Sequence, residues 1–218
     1  MLASVNLIDA FQYSIGGSLG AVRNEPNAPR PHTPPLTEEQ IRAAWVVEPP
    51  TLNGPIELTE YDPQWPALFQ GEKERIQEAL GNRMLQLEHV GSTSVPGLAA
   101  KPIIDMCLVV ADPSDEAAYV PPLEAAGYVL QIREPEWFEH RLFKGPDTDV
   151  NLHVYPEGCQ EVERYLLFRD RLRTNAADRE LYERTKRELA QRTWKYVQNY
   201  ADAKTEVVEA IITRARTG

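Results

Sequence analysis

The stretch EHVGSTSVPGLAAKPIID, residues 88–105, constrains this chain more than any other. The run before it, RMLQLEHV, alternates apolar and polar residues as a strand does, and PIIDMCLVV across its end has the continuous apolar character of a buried strand. Between them, Gly91, Ser92, Thr93, Ser94, Pro96 and Gly97 fall within seven positions. A Gly-Ser pair leaving a strand presents backbone N–H groups, and a short helical turn behind it adds a positive dipole end, so such a turn suits a phosphate. Asp105 then stands inside an apolar strand, where a carboxylate is costly unless hydrogen-bonded, paired or bound to a cation. A phosphate cradle beside a carboxylate points to Mg²⁺ and a nucleoside triphosphate. A plain loop followed by a satisfied strand acid fits the same composition, so both readings stay open at this level.

The rest of the chain supplies a frame for that turn. The first 55 residues hold eight of the eighteen prolines and a glycine-rich patch, IGGSLG, and are expected to form an extended N-terminal extension, 1–55. Inside it, LTEEQIRAAWVV carries a capping box, Thr37 with Gln40, and a hydrophobic staple, Leu36 with Ile41. This predicts a short amphipathic helix over 38–47 whose stripe of Ile41, Ala44 and Trp45 docks on the main domain or on a partner. Regular pattern begins at 56 and defines a second unit, 56–218. IELTEY is expected as a short strand, and Asp62-Pro63 as N-cap and first residue of a helix running to Leu80 and stopped by Gly81. A helix from Asp112-Pro113 to Ala126, strands at YVLQIRE, WFEHRLFK and DVNLHVY, and three helical segments after Glu161 complete an α+β (mixed α/β) domain with a helical C-terminal part.

Composition narrows the partners. The 218 residues carry a formal net charge of −10, which opposes unspecific binding to nucleic acid or to an anionic membrane. It leaves room for a small phosphorylated ligand held by a few local cations. No apolar run approaches the ~20 residues of a membrane span, and MLASVNLIDAFQY lacks the basic start and long apolar core of a secretory signal. Cys107 and Cys159 are too few and too far apart for a disulfide framework or a zinc site. A cytoplasmic setting is expected.

The span from IELTEYDPQWPALFQGEKERI through LEHVGSTSVPGLAAKPIID to NLHVY and LLFRDRLR resembles the GrpB family, a branch of the nucleotidyltransferase superfamily. The resemblance covers roughly residues 56–215. It implies a nucleotidyltransferase-like mixed sheet with flanking helices. The superfamily pattern is a hydrophobic residue, Gly, then Gly or Ser, followed by Asp-x-Asp/Glu on a strand and a third acid on a neighbouring strand. Val90-Gly91-Ser92 matches the first part and Asp105 the first acid, but the second acid is replaced by Cys107. Thiol sulfur is a poor partner for Mg²⁺, so Cys107 is read as a small buried residue.

Glu88, His89, Asp149, Asn151 and His153 are the groups that could complete the site. Residues 149, 151 and 153 share one face of a strand, and 89 and 91 share one face of theirs. Asp105 and Asp149 are the expected metal ligands, and Glu88 or His153 would complete the site or take an acceptor's proton. A wet edge strand is the competing explanation of the polar Asp-Asn-His face. Lys101, Arg141, Lys144, Arg169, Arg173, Lys186 and Lys204 are the cations at hand, with Lys101, Arg141 and Arg169 preferred as phosphate ligands beside Gly91, Ser92, Thr93 and Ser94. Trp65 and Trp137 suit a core better than base stacking. The resulting expectation is transfer of a nucleotidyl group to an unknown acceptor. Its alternatives are an inactive nucleotide- or phosphometabolite-binding module, or an ATP-dependent enzyme activating a carboxylate or amine.

Overall fold

The computed structural model of the chain describes residues 35–217; the IGGSLG patch lies outside them. Five strands, β1 (Gln86–Val90), β2 (Ile104–Val110), β3 (Val129–Glu134), β4 (His140–Lys144) and β5 (Val150–Pro156), form one sheet in the order β1-β2-β5-β4-β3. The β2–β5 pair is parallel and the other three are antiparallel. The mixed α+β expectation is therefore met. Among the described residues seven α-helices accompany the sheet: α1 (Glu38–Ala44), α2 (Trp65–Leu80), α3 (Glu116–Ala125), α4 (Gln160–Thr174), α5 (Ala176–Ala190), α6 (Val197–Asp202) and α7 (Thr205–Thr217).

Both sheet faces are covered, by different helices. Ile104, Met106, Leu108 and Val110 of β2 join Val150, Leu152 and Val154 of β5 against α2 and α3, which bring Trp65, Ile76, Leu80, Tyr119 and Leu123. The opposite face pairs Val90, Cys107, Val109 and Tyr155 with α4, α5 and α7, through Val162, Tyr165, Phe168, Leu172, Tyr182, Val208, Ile211 and Ile212. Apolar positions three and four apart make each helix present one stripe to the sheet. Two buried faces explain why β2 is apolar along its whole length. They also exclude the wet-edge account of DVNLHVY. β5 lies inside the sheet and is buried from Val150 to Tyr155.

Local expectations fared unevenly. Thr37 and Gln40 close their capping box, and Leu36 and Ile41 are buried together. The helix stops at Ala44, short of 47, because Trp45 turns extended and bridges Ile132 of β3. IELTEY does not form a strand; Thr59 alone pairs, with Ala100. Asp62 is not the N-cap of α2. Its carboxylate accepts from the Gln64 N–H in a turn, and the helix begins at Trp65 with Pro66 in its first turn. Asp112 likewise folds into a turn with Ser114, so α3 starts at Glu116. The strand expected over WFEHRLFK is shortened to β4 because Phe138 and Glu139 adopt positive φ values of 51° and 50°. α6 had no clear signal in the sequence. Among the described residues no helix is long and apolar enough to cross a membrane.

Candidate functional site

Sheet register arranges the polar residues in rows across one face. Val90, Asp105, Asn151 and Lys144 lie side by side across β1, β2, β5 and β4. In the next row lie Glu88, Cys107, His153 and Leu142. Asn151 Nδ2 donates to Asp105 Oδ1 at 2.8 Å. Lys144 Nζ donates to Asn151 Oδ1 at 3.0 Å and to Asp149 Oδ1 at 2.5 Å. An amide and an ammonium thus connect the two carboxylates expected to hold metal.

The glycine-serine turn sits directly on this row. Gly91 leaves β1 with φ 68° and ψ −173°, a conformation natural only to glycine. A Cβ there would fall 2.5 Å from Asp105 Oδ2, so a side chain has no room. Ser92–Ser94 then form one 3₁₀ turn whose residues are all buried. Ser94 Oγ donates to the Gly91 carbonyl at 2.6 Å, and Thr93 Oγ1 to that of Ile103 at 3.0 Å. From the helical side, Lys186 of α5 donates to Ser92 Oγ at 2.9 Å and to the Ala99 carbonyl. Arg173 of α4 forks onto the Ser94 carbonyl at 3.0 and 2.9 Å. The turn is therefore braced by two cations from the C-terminal helices.

The other expected residues divide into two groups. Glu88 shares the Asp105 face and pairs with Arg169 Nη1 at 2.8 Å; Arg169 also bonds the His89 carbonyl at 3.1 Å. Lys101 points to α6, with Nζ 5.8 Å from the centre of the Tyr200 ring, and Lys204 stands 4.2 Å from that ring. His153 shares the face with Asp105, and its Nδ1 lies 2.9 Å from His140 Nε2. Two residues leave the sheet on its other face. Arg141 aligns with Val154 on the face opposite Asp105, where Glu116 and Glu139 hold it. His89 aligns with Met106 on that same opposite face, stacked on Phe69 at 4.8 Å, yet it touches the turn: its Nε2 lies 3.0 Å from Thr93 Oγ1. The parity argument for 89 and 91 fails because the strand ends at Val90 and the chain turns at Gly91.

Burial sets the electrostatics. The Cys107 thiol is fully enclosed and its pKa is pushed well above the ordinary value, which suits a packing residue and not a nucleophile. Burial, with the Arg173 and Arg169 charges, holds His89 down to about 3. Burial also keeps His153 far below the usual histidine range, with His140 and Lys144 adding to the effect. Mg²⁺ prefers an octahedral shell of oxygens, largely carboxylate, phosphate and water. Here Asp105 is engaged by an amide, Asp149 by Lys144 and Glu88 by Arg169, with Cys107 at the second acid position. Among the described residues no three His, Cys, Asp or Glu side chains gather as a metal-ligand set. These donors do not fit a two-metal centre.

Lys144, Lys186, Arg173 and Asn151 prove closer to the turn and to Asp105 than the preferred Arg141. The period-2 pattern of NLHVY placed Asn151 and His153 together. Nothing local placed Lys186, which reaches Ser92 across 94 residues. Glu134 and His140, which extend the polar cluster from His153, were missed; the signal available was a histidine at an inward position of each of two predicted strands.

Comparison with known proteins gives this geometry a lineage. A family profile described as GrpB protein matches residues 55–214. The UPF0157 protein of Halalkalibacterium halodurans is 59% identical over 181 residues, spanning 83% of this chain and 93% of that protein. A dephospho-CoA kinase of Mycolicibacterium paratuberculosis is 31% identical over 164 residues, which is 63% of this chain and 40% of the kinase. The crystal structure of the conserved protein GrpB from Enterococcus faecalis superposes with a TM-score of 0.65 at 31% identity, covering 74% of this chain and all of that one. The chain belongs to the GrpB family.

Proposed function

We propose that this chain binds a phosphorylated small molecule, a nucleotide or phosphometabolite, at the Gly91–Ser94 turn. One observation carries the reading: Gly91 is pressed against Asp105 in a glycine-only conformation, and Lys186 reaches Ser92 from a distant helix. Positive φ alone serves any turn; a plain corner has no need of the close approach to Asp105 or of a buried ammonium from a distant helix. Turn amides and nearby ammonium groups favour anionic oxygens. Lys144 supplies, beside Asp105 and Asn151, positive charge where a polymerase-like site would use metal.

A second reading is transfer of a nucleotidyl group from a nucleoside triphosphate, with Mg²⁺, to an acceptor hydroxyl, amine, carboxylate or phosphate. The approach of Gly91-Ser92 to Asp105, as the nucleotidyltransferase pattern requires, favours it. The Asn151–Lys144 bridge and Cys107 weigh against it. Activation of a carboxylate or amine by ATP would show itself in the same assay through its product.

Thermal unfolding with each of the four nucleoside triphosphates, with Mg²⁺ or with chelator, separates these readings. The binding reading expects a raised Tm that survives chelation, is lost in Lys186→Met, and is not accompanied by pyrophosphate release. Protection that needs Mg²⁺, vanishes in Asp105→Asn and brings pyrophosphate release with an acceptor would establish transfer. No rise with any of the four, nor with sugar phosphates, overturns both.

A further inference from the structure

On the Asp105 face, one ring nitrogen stands out among the described residues. Nε2 of His153 has no hydrogen-bond partner among the described residues, on a side chain only 1% exposed. The other ring nitrogen is engaged: Nδ1 lies 2.9 Å from His140 Nε2, and His140 Nδ1 lies 2.5 Å from Glu134 Oε2. The proton positions follow from the carboxylate end of this chain. An ionised Glu134 can only accept, so His140 holds its proton on Nδ1 and turns the Nε2 lone pair towards His153. His153 then donates from Nδ1, and its Nε2 is left as a bare lone pair. Burial keeps both rings neutral at pH 7, with His140 held down to about 3. The rings cannot turn freely either. His140 stacks on His153 at 5.1 Å and on Tyr155 at 4.8 Å, and Trp137 meets His140 edge-on at 5.2 Å.

A lone pair fixed in this way takes an O–H or N–H and has nothing to offer a phosphate oxygen. His153 stands two residues along β5 from Asn151, the partner of Asp105, and β5 lies two strands from β1, which places it roughly 12 Å from the Gly91 end of the row. We infer that the ligand of this site carries, beside its phosphate, a hydroxyl or amine about a nucleoside's length away, and that this group donates to His153 Nε2. Such a ligand is a nucleoside phosphate, not an inorganic polyphosphate. Glu134 and His140 are positioning residues that hold the His153 tautomer. This inference rests on the phosphate-binding reading above for its ligand and on the histidine geometry for its tautomer.

Nitrogen-15 NMR of the full chain labelled at histidine tests it. Without ligand at pH 7, His153 is expected neutral, with the proton on Nδ1 and Nε2 in the unprotonated region. His140→Phe keeps an aromatic ring in the stack, and circular dichroism checks its fold; it should leave His153 as a mixture of both tautomers. A proton on His153 Nε2 in the wild type, or a His153 tautomer indifferent to the loss of His140, overturns the positioning role. ATP at millimolar concentration should shift Nε2 upfield, whereas inorganic triphosphate should raise Tm without moving that resonance. If ATP raises Tm and Nε2 does not move, the ligand inference fails while phosphate binding stands. If neither compound raises Tm, the phosphate reading falls and the ligand inference with it, and the tautomers alone decide the positioning role.

Discussion

At the scale of single residues, Gly91 and Asp105 define each other. The glycine takes a positive φ and lies where any Cβ would meet the Asp105 carboxylate at 2.5 Å. Gly91→Ala is therefore expected to lower stability by roughly 1–3 kcal/mol, from backbone strain and from displacement of the acid. Gly97→Ala is the comparison: its φ is also positive, at 78°, but nothing lies within 4 Å of its Cβ position. It should cost less, about 1 kcal/mol. Urea denaturation of the two variants measures the difference, and equal losses would mean that contact with Asp105 contributes nothing. The need for glycine and serine was legible from EHVGSTSVPG itself. The immediate partner of Asp105 was not. Asp149 and Asn151 were both plausible on an alternating strand, and the register of β2 against β5 selects Asn151.

At the scale of elements, capping and turn chemistry account for what was legible. α1 was readable because its start signals lie within six residues: the Thr37–Gln40 box and the Leu36–Ile41 staple. It is only seven residues long, too short to persist without its docking contacts. Those contacts include the Leu36 N–H on the Asp202 carboxylate at 3.0 Å and Tyr196 Oη on Glu38 at 2.9 Å. Thr37→Ala should destabilise α1 by about 1 kcal/mol. Hydrogen exchange would show faster exchange at the α1 amides and unchanged exchange in β2, because the sheet does not depend on α1; a slowdown or no change at α1 contradicts this. α3 was harder to bound. Pro121 and Pro122 lie inside it and remove two helical donors. The Ala118 carbonyl, left without its i+4 donor by Pro122, accepts from Arg83 Nη1 at 2.8 Å. IELTEY failed as a strand because its backbone meets no neighbouring strand: Thr59 makes a single bridge to Ala100, and the Ile56 N–H is taken by the Ala190 carbonyl of α5.

For the whole molecule, the buried histidines fix a direction of pH dependence. His89 and His140 are held down to about 3 and His153 is also depressed, each chiefly by burial. Below the unfolded value of about 6.5 the unfolded chain takes up protons that the folded chain refuses, so stability is full above that pH and falls as pH drops. Asp202 opposes this. Burial raises it to about 6, so its contribution is present below the ordinary carboxylate range and lost as pH rises through 6. Three groups against one leave a net loss between pH 7 and 5, on the order of 1–2 kcal/mol each for His89 and His140, with His153 acting in the same direction. A urea midpoint at pH 5 equal to or above that at pH 7 would contradict it. The sequence by itself determined the mixed α+β class, the glycine-serine turn, the capped α1 and the acid on β2, because spacing, caps and turn residues act over a few neighbours. Tertiary structure alone decided which polar groups share a face. The parallel pairing of β2 with β5 across 46 residues put Asn151 and His153 beside Asp105 and Cys107. Antiparallel β4 put Lys144 in the same row and turned Arg141 to the opposite side. Lys186 arrived from a helix 94 residues past Ser92. Register and helix docking depend on both buried faces of the sheet at once, and no local stretch of chain contains that information.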